Sequence, residues 1–496
     1  MEAFSKLRAY VREIREIESA AALAHWDQRT YMPERGLEAR ARMVGRLERL
    51  AFERLVAPEL DRILAEAEAS LDEASDVDRA LVRHWRREHD RKRAIPPDLH
   101  QKFVEACCRA EAIWERARER SDFELFRPHL EQVVELVREI AELLGYEESP
   151  YDALLEEYEP GMTSARLREL LEPLRGEIVP FVRRLLAEGS PPPPVPQGPF
   201  PIPAQKTLAR EALRLIGYDF SAGRLDDSVH PFTIGIGPSD VRVTNRYSEG
   251  DPFSGLFGAL HEGGHALYDQ GLAPGLAWTG LDAGASFGVH ESQSRLWENQ
   301  IGRSLPFWEF FHRHLVERFP AFRGTSPTDV WRMVCRVAPS LIRVEADEVT
   351  YNLHIYLRFE LEVELLEGRL SVRELPERWN EAVEEYLGVT PPDDAQGVLQ
   401  DVHWSGGMFG YFPSYMLGNL YAAQIMAAAQ RAIPDLWEKV RAGELYPLRE
   451  WLREEVHARG RLLEPEELLK KVTGEGPSPR PFLTYVKEKY GQVYRL

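Results

Sequence analysis

The chain has 496 residues, 44% of them hydrophobic, and its 62 basic and 81 acidic side chains leave a formal charge of −19. A chain of this size buries most of its apolar surface without staples, so disorder and fibrous structure are excluded, and length alone suggests roughly two to four domains. Three cysteines, two of them the adjacent Cys107 and Cys108, make no disulfide framework and fit inert thiols in a reducing compartment. Phe4, Leu7, Val11, Ile14 and Ile17 recur at three- and four-residue spacing and predict an amphipathic first helix. The charges of Glu2, Lys6, Arg8, Arg12 and Glu13 break any secretory h-region there, and no later stretch approaches the roughly 20 apolar residues of a membrane span. The expected location is the cytoplasm, without membrane contact.

Similar stripes through Met43, Leu47 and Leu50, and through Leu130, Val133, Val137, Ile140 and Leu144, predict antiparallel helices over residues 1–190. The basic cluster Arg86 to Arg93 is interrupted by Glu88 and Asp90 and reads as a solvated helix face. With so acidic an overall field, nucleic acid is not an expected partner. Pro191 to Pro194, followed by Pro196, Pro199, Pro201 and Pro203, excludes helix and predicts a long loop, either a linker or an excursion within one fold. Phe232, Ile234 and Ile236 alternate with small residues, Gly237 to Asp240 supply turn chemistry, and Val241 and Val243 alternate again, so a β-hairpin is predicted. Helical periodicity then holds nearly to the C-terminus, with no repeat of 20 to 50 residues.

The chemistry concentrates in His261-Glu262-Gly263-Gly264-His265, an H-E-x-x-H motif in a helical stretch that begins near Phe257. Helical positions i and i+4 lie about 40° apart in azimuth, so both imidazoles converge on one ion. Glu262 sits about 100° further round, placed to work on a water instead of completing the coordination sphere. Two glycines each cost about 1 kcal/mol inside a helix, so Gly263 and Gly264 predict close approach of another backbone. The alternative is two satisfied histidines on a structural helix. A catalytic zinc takes a third protein ligand. The extended metzincin pattern fails, with Tyr268 where Gly is needed and Gly271 where the third His belongs. Glu291, in His290-Glu291-Ser292-Gln293, opens a segment that runs as helix through Leu296, Trp297 and Glu298 and can return to the motif. Its plainer reading is a first-turn glutamate complementing a helix dipole.

His261-Glu262-x-x-His265 followed by His290-Glu291-Ser292-Gln293 resembles the thermostable carboxypeptidase family, the carboxypeptidase Taq type of zinc metallocarboxypeptidase. Asp240-x-Arg242-x-Thr244, Ile342-Arg343-x-x-Ala346-Asp347 and Gly397-x-x-Gln400-Asp401-x-His403-Trp404 match further signatures of that family, as does Trp26-Asp27. The likeness implies a mainly α, two-lobed helical groove fold with a small β-hairpin or sheet and a gluzincin-type active site. It would form one metallocarboxypeptidase domain over 1–496, with a helical part at 1–190, the Pro-rich loop and hairpin at 191–250, and the zinc- and substrate-binding helices at 251–496. It also implies a homodimer, and broad side-chain tolerance with reluctance toward C-terminal proline.

Carried over by residue, the resemblance implies zinc ligands His261, His265 and Glu291, with Glu262 as general base and then acid; cobalt is the expected substitute metal. Oxyanion donors are sought in Tyr411, with Tyr415 competing, and in His230 at the head of the hairpin. Exopeptidase action on peptides with a free C-terminus needs a cation for the α-carboxylate, and the arginine fork suits it best. Arg343, followed by Asp347, Thr350 or Tyr351, His354 and Arg358 at helical spacing, is the first candidate, against the alternative of a buried Arg343–Asp347 pair. The motif around His403 is implied to help close the groove around the substrate's C-terminal end; Arg242 is a weaker candidate that supports the strand. The competing functions are a zinc oligopeptidase or dipeptidyl carboxypeptidase, and a peptide-binding protein with a structural zinc, for which Glu262 would be superfluous.

Overall fold

The computed structural model describes residues 2–496. It is mainly helical, with one three-stranded sheet. The chain divides into two compact units, each assembled from three stretches. One takes the N-terminal stretch to Arg93, Pro194–Val334 and Ala422–Gly476; the other takes Ala94–Pro193, Cys335–Tyr421 and Pro477–Leu496. The passage between them at Pro193 and Pro194 falls inside the proline run. Pro203 departs from the expected loop: it sits in the first turn of the helix Ile202–Ile216, where a missing amide costs no hydrogen bond.

In the first unit, the helix Glu2–Thr30 buries Phe4, Leu7, Val11 and Ile14, as their spacing predicts. The stripe expected in the next helix is shifted by one residue. Met43 is 44% exposed, and Val44 and Ala51 carry the buried face. The basic cluster is neutralised by acidic partners: Arg86 pairs with Glu68 and Asp61, and Arg93 with Asp61.

The hairpin forms from β2 (Thr233–Gly237) and β3 (Asp240–Asn245), antiparallel with Thr233 opposite Val243. A third strand, β1 (Leu225–Asp227), pairs parallel to β3. At three residues it is too short for a periodic signal. The helix Ser254–Gly271 carries the H-E-x-x-H motif and packs on β3, on β2 and on Ile202–Ile216. A Cβ on Gly264 would fall 2.5 Å from the Gln293 carbonyl oxygen and 2.6 Å from Ser294 Cα. That glycine therefore admits the backbone of the helix Phe287–Arg295, the approach its presence predicted. Gly263 makes room for side chains instead, with Leu213 and Ile216 methyls 2.7 Å from its would-be Cβ.

In the second unit, the helix Tyr351–Leu366 is buried on nearly every side, with Arg358, His354 and Glu362 among its buried residues. Arg343 does not share that helix. It lies in a 3₁₀ turn, Arg343–Glu345, and the helix begins only at Tyr351. Asp347 separates them as a capping group: its carboxylate accepts from the Val349 and Thr350 amides at 2.9 and 3.0 Å and from the Thr350 hydroxyl at 2.7 Å. Side chain-to-backbone bonds of this kind compete with helix continuation. No helix of the described residues is long and apolar enough to cross a membrane.

Candidate active site

The motif helix brings His261 and His265 to one face, and the helix Phe287–Arg295 lays Glu291 against them. Glu291 Oε2 lies 3.6 Å from His261 Nε2 and 3.3 Å from His265 Nε2. Among the described residues this trio is the one group of histidine, cysteine and carboxylate side chains placed to share a metal ion, its ligand atoms all within 4.8 Å of one another. Glu291 stands in the second turn of its helix, not the first, so the dipole reading does not account for it. Burial opposes its charge, but Arg295 at 2.6 Å and the two histidines prevail and hold the carboxyl well below its usual range. Two imidazole nitrogens and one carboxylate oxygen are a donor set typical of catalytic zinc, and the trio fits such an ion.

The far nitrogens of both rings are occupied. His261 Nδ1 lies 2.9 Å from Glu298 Oε2, and Glu298 is in turn bound by Arg303 at 3.1 Å. His265 Nδ1 lies 2.6 Å from His290 Nδ1. Outer partners of this kind orient metal-binding imidazoles. Burial opposes a charge on Glu298, yet His261 and Arg295 bring its carboxyl down to about 2. Glu262 is buried beside the trio without belonging to it, and Oε2 of its carboxylate accepts from the Thr233 hydroxyl of β2 at 2.9 Å. His230 is exposed in the bend before β2, its carbonyl accepting from the Ser228 hydroxyl. Arg242 is engaged bidentately by Asp240 at 2.8 and 2.7 Å and lies over the Trp26 ring.

The other candidates gather in the second unit. Arg343 donates to Asp401 Oδ1 at 2.9 Å and to the Tyr351 hydroxyl at 3.0 Å, and its guanidinium lies over the Tyr415 ring. The expected alternative partner, Asp347, is not paired with it. Arg358 takes the second oxygen of Asp401 at 2.7 Å, and also donates to Gln400 Oε1 at 2.8 Å. One carboxylate thus serves two buried guanidiniums. The His403 ring lies tilted against those of Phe412 and Tyr411, and burial pushes its imidazole down to about 4. Tyr411 is partly buried, edge-on to Tyr158 and Tyr415.

The chain matches the carboxypeptidase Taq (M32) metallopeptidase family over residues 6–490. The chain belongs to that family. It is 46% identical to thermostable carboxypeptidase 1 of Thermus thermophilus, with 99% of each chain covered. It is 40% identical to carboxypeptidase 1 of Bacillus subtilis over 98% of this chain and 97% of that one. The crystal structure of an M32 carboxypeptidase from Deinococcus radiodurans superposes with a TM-score of 0.97 at 36% identity, each chain fully covered. The protein is a metallocarboxypeptidase.

Several groups of this metallocarboxypeptidase escaped sequence reasoning. Glu298 follows Glu291 by seven residues, two turns along the same face, a spacing that could have marked it. A π-helical segment, Leu296–Ile301, carries it, and such segments are frequent at functional sites. Asp401 lay inside a quoted motif without a role, and Thr233 carried no signal beyond the hairpin.

Proposed function

We propose that the protein is a zinc carboxypeptidase that releases single residues from the C-termini of peptides with broad side-chain tolerance. The observation that carries this reading is the convergence of His261 Nε2, His265 Nε2 and Glu291 Oε2, with the Glu262 carboxylate alongside yet tied to Thr233. His261, His265 and Glu291 would hold the zinc, which when bound would supply Lewis acidity and a water nucleophile at neutral pH. Glu262 accepts the proton of the attacking water and returns it to the departing amine. The Thr233 hydroxyl engages one carboxylate oxygen and fixes the direction of the other. Tyr411 and His230 are the proposed hydrogen-bond donors to the developing oxyanion.

Arg343 is the proposed receptor for the free α-carboxylate. The shared Asp401 leaves the Arg343–Arg358 pair with one more positive charge than the carboxylate it binds, and that surplus suits an anionic ligand. His403, its imidazole kept neutral by burial, helps close the groove around the substrate's C-terminal end; Arg242 supports the strand and, more weakly, the substrate. A single catalytic domain over 1–496, a homodimeric assembly, cytoplasmic residence and activity with cobalt complete the proposal.

A chromatographic time course on a defined peptide, unblocked and C-terminally amidated, with and without chelator, tests it. Single residues should appear in sequence from the unblocked peptide alone, and chelator should stop their release. Equal cleavage of both peptides would remove the carboxylate receptor, and dipeptides or internal fragments would establish an oligopeptidase or dipeptidyl carboxypeptidase instead.

A further inference from the structure

The two imidazoles of the trio are supported differently. His261 Nδ1 meets the Glu298 carboxylate directly, whereas His265 Nδ1 meets a second ring, His290, whose Nε2 lies 3.0 Å from Asp269 Oδ1. Asp269 follows His265 by one helical turn, but it reaches His290 instead.

The hydrogen-bond polarity of this chain follows from its ends. A carboxylate only accepts, so His290 carries a proton on Nε2. Two ring nitrogens 2.6 Å apart need one donor and one acceptor. The His290 tautomer that donates from Nε2 to Asp269 presents a lone pair on Nδ1, and His265 then carries its own proton on Nδ1. The lone pair of His265 Nε2, 3.3 Å from Glu291 Oε2, is then free for a cation. The opposite polarity would place the proton on His265 Nε2 and block ligation. The His290 ring has little freedom to escape this role. The Tyr268 ring lies 5.1 Å from it, centroid to centroid, and Gly284 backs it so closely that a Cβ there would fall 2.8 Å from His290 Cδ2.

We infer that Asp269 is a positioning residue for metal binding: acting through His290, it fixes His265 in the tautomer whose Nε2 ligates. The inference rests on the reading of His261, His265 and Glu291 as the ligands. Loss of an outer partner of a ligating histidine typically lowers metal affinity about 10- to 100-fold.

The test is zinc affinity of the full chain, measured by chelator competition, for Asp269→Ala, Asp269→Asn, His290→Ala and the double variant Asp269→Ala/His290→Ala. Asp269→Ala should weaken zinc about 10- to 100-fold. Asp269→Asn should weaken it less, because the amide oxygen can still accept from His290 Nε2. In the His290→Ala background, Asp269→Ala should add less than about twofold, since the path it acts through is gone. Unchanged affinity in both single Asp269 variants would overturn the inference. So would an undiminished Asp269→Ala effect without His290, which would assign Asp269 a general electrostatic or structural role. Should Asp269→Ala not fold, Asp269→Asn alone and combined with His290→Ala carries the same comparison. Wild-type protein and His265→Ala serve as controls. If His265→Ala binds zinc as tightly as wild type, the ligand assignment itself fails, an outcome distinct from a relay that fails while the ligands stand.

Discussion

In the first unit, two carboxylates, the buried Glu291 and the partly buried Glu298, stand against two guanidiniums, Arg295 and Arg303, whereas in the second a single carboxylate, Asp401, is divided between Arg343 and Arg358. The histidines follow the same contrast. Although burial depresses it, His261 is raised above its ordinary value by Glu291 and the Glu298 hydrogen bond, while burial and nearby arginines take His354 to about 3. His403 Nδ1 is buried 3.9 Å from Asp401 Oδ1, with no hydrogen-bond partner among the described residues. Buried charges are costly unless paired, so a balanced network reads as a scaffold and an unbalanced one as a site awaiting an anion. On the proposed reading, the difference separates two tasks: a metal centre whose Glu291 and Glu298 are paired with Arg295 and Arg303, and a receptor for the substrate's α-carboxylate left one charge in surplus.

The contrast breaks most visibly at the surplus. Arg343→Met removes it and leaves Asp401 Oδ1 without its donor, while Arg358 still neutralises the carboxylate through Oδ2, so the chain should fold with reduced stability and keep its zinc. Its kcat/KM on unblocked peptides should fall about 100-fold or more, the scale of losing a buried charged hydrogen bond, and its preference over amidated peptides should collapse. Undiminished preference in that variant would mean that the carboxylate is read elsewhere.

The depressed imidazole sharpens the same comparison through pH. Folded His403 stays neutral down to about 4, while the unfolded chain takes up the proton near 6.5. Its contribution to stability is therefore complete above pH 6.5 and falls away as pH drops toward 4, by about 3 kcal/mol in all. His403→Gln lacks this dependence, so the gap in Tm between wild type and variant should shift in favour of the variant over that window. A gap that is constant with pH would contradict the neutral, buried state.

The smallest effect is expected on the scaffold side. Thr233→Val removes the hydroxyl shared between the Glu262 carboxylate and its backbone carbonyl at 2.9 and 2.8 Å, a charge-assisted contact worth about 1.5 kcal/mol or somewhat more, and should lower kcat about tenfold with zinc affinity unchanged. Thr233→Ser should restore most of it, and full activity in the valine variant would show that Glu262 needs no tether.

Much of the fold was legible because it is periodic. Phe4 to Ile14, the hairpin alternation and the i, i+4 histidines all declare themselves within a few residues. Misreadings arose where tertiary contacts override periodicity. Met43 fits a stripe that Val44 and Ala51 fill, and Arg343 fits a helical spacing that Asp347 interrupts by capping. The site divides likewise. His261 and His265 share one helix, and Glu291 was within reach of a helix–loop–helix return. By contrast, Arg343 meets an aspartate 58 residues away, and Tyr31 meets Asp226 across 195 residues. No local pattern marks such pairs. Glu298 alone offered a usable spacing that went unread.

Measuring zinc content and turnover together in Glu262→Gln shows whether Glu262 works on a water beside a metal it does not bind. One zinc per chain is expected, with turnover lowered by about 10³-fold, within the range for loss of a general base. Zinc-loaded Glu262→Gln turning over within tenfold of wild type would contradict that role.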